Sequence, residues 1–108
     1  MSQELELTVA MGDYEIVRAL KEGIVKPDGI KLNILTKIDS STRHWRFLRN
    51  EDFDIAECSC SSYLVARDQG MPFEGIPVFL HRRFRHGFMY INTGKGIKSP
   101  KDLIGCKM

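Results

Sequence analysis

Apolar and polar residues alternate from Leu5 to Ala10, the period of a half-buried strand. Gly12-Asp13 breaks the alternation, and Asp13 can cap a helix over about 14–22 with Ile16, Ala19 and Leu20 on its apolar face. Lys26-Pro27-Asp28-Gly29 is a turn, and Ile30, Leu32 and Ile34 set the register of a second strand over 30–35. Asp39-Ser40-Ser41-Thr42 offers caps for a helix to about Arg49. Residues 54–57 predict a short third strand, and Ser59 to Ser62 open a third helix that stops at Gly70. Residues 76–79 predict a fourth strand and 86–92 a fifth. Ser99-Pro100 begins a short helix, with Pro100 suited to its first turn. Strand and helix alternate with short connections, which predicts an α/β fold with a mostly parallel sheet flanked by helices.

Residues 102–108 read as a helix end leading into a strand that is not completed. The expected organisation is an incomplete N-terminal α/β lobe over 1–93 and a crossover over 94–108 into a second lobe that is absent. Composition is that of a globular protein: 108 residues, 43% hydrophobic, 28% charged. A net charge of +2, with both signs interspersed, argues against a nucleic-acid partner. No apolar run has the roughly 18 residues of a membrane span, and the first residues enter strand alternation without a secretory signal. Three cysteines, Cys58, Cys60 and Cys106, form an odd set. They predict reduced thiols packed in a cytoplasmic protein, and Cys58-x-Cys60 lacks the second pair of ligands that zinc requires.

Candidate chemistry concentrates in Phe79-Leu80-His81-Arg82-Arg83-Phe84-Arg85-His86. A cationic loop at a strand end suits an anion, because guanidinium forks pair with carboxylates in one plane. The same residues also fit a solvated basic turn. Arg82 and Arg85 are the expected forks, and Arg83 should face away if the segment is extended. His86 is the best general acid or base, since its ordinary pKa lies near neutrality, and His81 is the weaker choice. Ligands of open α/β sheets gather beyond the carboxyl ends of the strands. The loops at 12–14, 57–63 and 81–86 would converge there. Ser59, Ser61 and Ser62 combine hydroxyls with helix N-terminal amides, as a cap or as a carboxylate cradle. Tyr63 suits an aromatic ring or the core, and Glu57 and Asp13 could orient a histidine or a phenol.

The chain resembles the N-terminal part of the 4,5-dihydroxyphthalate decarboxylase family. The resemblance is carried by Gly12-Asp13-Tyr14, by Phe53-Asp54-Ile55-Ala56-Glu57 with Ser59-x-Ser61-Ser62-Tyr63-Leu64, by Ile76-Pro77-Val78-Phe79, and by Phe79-x-x-Arg82-x-Phe84-Arg85-His86. Tyr90-x-Asn92-Thr93 and Gly96-Ile97-x-Ser99-Pro100-x-Asp102-Leu103 extend it. Cys58, Cys60, His44 and Cys106 depart from the family's pattern, which bears on packing and substrate choice. The resemblance implies a lobe of a type 2 periplasmic-binding-protein-like fold that forms one wall of a ligand cleft. It implies a decarboxylase of a hydroxylated aromatic carboxylic acid, the alternative being a solute-binding protein for a small anion without catalysis. The implied site has His86, Arg85 and Glu57 in catalysis and Asp13, Tyr14, Ser59, Ser61, Ser62, Tyr63 and Arg82 on a small aromatic carboxylate. Neither a metal nor an organic cofactor is expected, because the hydroxylated ring itself donates the electrons. An isolated lobe with one cleft wall missing is expected to self-associate, as a homo-oligomer.

Overall fold

The computed structural model describes residues 4–106. Strand β1 (Leu5–Ala10) is central, with β2 (Ile30–Leu35) on one side and β3 (Ile55–Ala56) on the other, all parallel. Leu5 pairs with Ile30 and Ala10 with Leu35, while Val9 pairs with Ile55 and Ala10 with Ala56. Asp54 lengthens the short side of the sheet: its amide donates to Thr8 O at 3.1 Å, and its carboxylate accepts from Thr8 N at 2.7 Å. Val9, Met11 and Val17 are the buried centre, packed by Leu20, Leu32, Ile34, Ile55 and Leu80.

The first helix forms as a 3₁₀ turn (Glu15–Val17) running into α1 (Arg18–Lys21). Asp13 does not cap it; its carboxylate instead holds Lys21 Nζ at 2.5 Å, because a lysine eight residues on competes for it. Helix α2 (Ser40–Asn50) is capped by Asp39, which accepts from Thr42 N at 3.0 Å, and it closes at Glu51 in the left-handed region. Helix α3 (Cys60–Asp68) follows Ser59 and ends before Gly70, whose φ of 72° the missing Cβ permits. Phe47 of α2 meets Phe73 at 4.8 Å between ring centroids, tying α2 to the chain beyond α3.

The expected fourth and fifth strands are not formed. Residues 76–79 have no ladder partner; the backbone bond within them is Val78 N to Ile76 O at 2.7 Å. Arg85–Phe88 is a 3₁₀ turn, and the chain on to Asn92 is irregular. Alternation says which face a strand would bury, but a strand exists only where a neighbour takes up its amides and carbonyls. Here β3 stops after two residues, and Pro77 has no amide to offer. Phe79 and Tyr90 are accordingly 73% and 90% exposed. The radius of gyration is 18.9 Å, against roughly 13 Å for a compact domain of this size, because the segment after α3 adds little to the core. The short helix at Ser99 is a 3₁₀ turn (Pro100–Leu103) in which Asp102 accepts from Lys98 N and Ser99 N. The thiols differ from expectation too. All three are free, but only Cys58 is half-buried, because Cys60 lies on the outer side of α3 and Cys106 on the exposed end. No described helix is long and apolar enough to cross a membrane.

Candidate functional site

Parallel pairing brings the ends of β1 and β3 together, so the residues that leave each strand face one another. Glu57 follows β3, and its amide donates to Ala10 O at 2.8 Å, which anchors its backbone to β1. Its carboxylate accepts three bonds: from Gly12 N at 2.9 Å, from Tyr14 Oη at 2.9 Å and from Arg43 Nη2 at 2.7 Å. Arg43 reaches in from the first turn of α2 and is 2% exposed. Its Nη1 donates to Ile38 O at 3.0 Å, while its Nε meets no acceptor among the described residues. Excluding water from this pair strengthens its attraction, and the remaining bonds offset the cost of burying two charges.

Tyr14 folds back over Gly12, within 2.6 Å of where a Cβ on that residue would stand. Burial raises its phenol above the ordinary value, the bond to Glu57 and the charge of Glu57 add to this, and Arg43 and Arg83 oppose it. The His81 ring stacks on Tyr14 at 5.7 Å and 14° between planes, and Phe88 meets the same His81 ring edge-on at 6.4 Å. A phenol, a salt-bridged carboxylate and an imidazole thus stand together at the carboxyl end of the sheet.

Of the residues expected from sequence, Glu57 and Tyr14 join this cluster. Asp13 is turned to Lys21 instead. Ser59 Oγ and Ser61 Oγ bond to each other at 2.9 Å, and the Ser59 side chain does not cap α3. Ser61 and Ser62 line an open groove of about 650 Å³ between α2 and α3, with Leu48, Val65 and Met71. Tyr63 Oη accepts from Gly75 N at 3.1 Å, a tie between α3 and the following segment. Arg82 Nε bonds Phe79 O at 3.3 Å, Arg85 lies 5.8 Å over the Phe88 ring, and His86 packs on Phe84 at 5.3 Å. These three residues are exposed in the basic loop.

The sequence pattern did not single out Arg43, and it ranked His81 below His86, although His81 is the histidine that stacks on Tyr14. Arg43 sits in a helix start full of polar residues and reads there as solvated. The one available signal is its i,i+4 spacing to Phe47, which puts it on the packed side of α2.

A family model described as NMT1/THI5-like matches residues 14–108. The chain belongs to the NMT1/THI5-like family. That family is periplasmic-binding-protein-like, and the parallel α/β lobe agrees with it. The family member is similar to the 4,5-dihydroxyphthalate decarboxylase of Comamonas testosteroni, at 39% identity over 103 residues, covering 94% of this chain and 31% of the relative. It is similar to the protein of the same name from Pseudomonas putida, again at 39% over 103 residues, covering 94% of this chain and 40% of the relative. The chain therefore spans between 31% and 40% of the length of these curated relatives.

His44, next to Arg43, carries a pH-dependence. Burial holds its imidazole below the ordinary value, the Arg43 charge adds to this, and Glu57 opposes it. The unfolded chain takes up that proton near pH 6.5, whereas the folded chain resists it. The contribution of His44 to stability is complete above about pH 6.5 and is lost as pH falls through its folded value. Urea unfolding at about pH 7.5 and about pH 5.5 checks this, and His44→Gln should lose less stability between the two than the wild type.

Proposed function

We propose that the chain is part of a decarboxylase acting on a hydroxylated aromatic carboxylic acid such as 4,5-dihydroxyphthalate. The observation that carries this reading is the juxtaposition of the Tyr14–Glu57 pair with the cationic loop at 81–86, through the stack of His81 on Tyr14. One end suits ring hydroxyls and the other suits carboxylates. The names of the two relatives support the same substrate class. Residues 94–108 would lead on to a second lobe that closes the site.

Decarboxylation of such a ring starts with a proton added to the carbon that bears the carboxylate. Electrons from the para hydroxyl make that carbon basic. The bond to the carboxylate then breaks, CO2 leaves, and the bonding pair restores the aromatic ring. The protein must orient the acid, stabilise the charge on the hydroxyl oxygen and supply the proton. In this reading Arg82 and Arg85 hold the carboxylates, with His86 beside them. His81 joins His86 as a proton donor, because the fold sets His81 against Tyr14.

The test is CO2 release from 4,5-dihydroxyphthalate by the intact gene product. Arg85→Ala should weaken binding roughly tenfold to a hundredfold, the value of a charged hydrogen bond. His81→Ala and His86→Ala should each lower turnover more than affinity if they move the proton. Binding without CO2 release in the wild type would favour a solute-binding protein. Release untouched by all three substitutions would remove the loop from the mechanism.

A further inference from the structure

The cluster at the end of β1 also has a hydrogen-bond polarity. Tyr14 has one proton, and it is given to Glu57 Oε1 at 2.9 Å. Glu57 has no proton to return, because its other oxygen accepts from Arg43 Nη2 at 2.7 Å and from Gly12 N at 2.9 Å. Arg43 is buried and bonded to Ile38 O, so the carboxylate is held by a backbone-anchored charge. A phenol oxygen is both donor and acceptor; with its donor committed, only lone pairs are left for a ligand. Burial and Glu57 also keep Tyr14 in its neutral form.

We propose that Tyr14 is a specificity residue that accepts a hydrogen bond from a ring hydroxyl of the ligand and disfavours an ether or carboxylate oxygen at the same place. Arg43 and Glu57 are positioning residues that fix this polarity. The inference rests on the reading of the site as one for hydroxylated aromatic acids, and it sets the orientation of such a ring. The hydroxyl edge meets Tyr14, and the carboxylates lie toward Arg82 and Arg85. A site that bonds a hydroxyl rejects an analogue without a proton there more strongly than one of different size, because its own polar group is then left unpaired.

The experiment is calorimetric titration of the intact gene product with 4,5-dihydroxyphthalate, its mono-methyl ether and its dimethyl ether, and in parallel with catechol and 1,2-dimethoxybenzene. The wild type should prefer the free hydroxyl by about tenfold or more in each series that binds. Tyr14→Phe should erase that preference, weakening the free-hydroxyl ligands while the dimethyl ethers bind at least as tightly as to the wild type. Glu57→Gln covers the case in which Tyr14→Phe does not fold. Its amide donates to Tyr14, returns the phenol proton to the ligand and should narrow the gap between hydroxyl and ether. Equal weakening of all ligands by Tyr14→Phe would mean a purely structural role and overturn the proposal. No hydroxyl preference in either series would overturn it as well. A Tyr14-dependent preference for catechol without binding of any diacid would keep the assignment of Tyr14 and sink the decarboxylase reading.

Discussion

Arg43→Met should lower the unfolding free energy by about 3–5 kcal/mol, the cost of leaving one member of a buried ion pair alone. The Arg43 side chain is 3% exposed and that of Glu57 15%, so little water is at hand to replace it. Ile38 O would lose its donor at the same time. Glu57 keeps the Gly12 amide and the Tyr14 hydroxyl, which places the expected loss toward the lower end of the range. Arg43→Lys should recover only part, since one ammonium cannot span Ile38 O and Glu57 in the fixed geometry of a fork. Pairing Arg43→Met with Glu57→Leu should restore part of the loss by removing the stranded charge. Urea denaturation measures all three variants. A loss below about 1 kcal/mol for Arg43→Met would mean that the pair is screened like one at the surface.

On the proposed reaction, Gly12→Ala should cut turnover of 4,5-dihydroxyphthalate by the intact gene product about a hundredfold, the scale of a misplacement near one ångström. No left-handed φ is required at Gly12, so the backbone tolerates alanine. The obstacle is Tyr14: a Cβ would stand 2.6 Å from its hydroxyl oxygen and from Cε2. The ring must swing away, and it then loses both Glu57 and the stack with His81. Glu57 retains Arg43 and the Gly12 amide, so thermal stability should change little. Activity assays beside a melting curve separate the two effects. Unchanged turnover would show that the position of Tyr14 does not matter to the reaction. A large drop in melting temperature would show that Tyr14 holds the lobe together.

The parts of this protein that the sequence by itself determined are those whose causes lie within a few residues. The alternation at Leu5–Ala10 and Ile30–Leu35 and the caps at Asp39 and Gly70 correspond to elements of the structure. Glu57 was legible as a carboxylate at a strand end, and the basic loop as an unusual density of charge. Partnership across the chain was not legible. Ile76–Phe79 has the period of a strand, yet only a neighbouring backbone could have made it one. Asp13 looks like a cap, yet Lys21 takes it. Arg43 looks solvated, yet the packing of α2 against the end of β3 puts it beside Glu57 and makes it the most buried charge among the described residues. Local periodicity sets which way a side chain can face. Only tertiary structure sets what it meets there, and at this site that meeting fixes where the one proton of Tyr14 is spent.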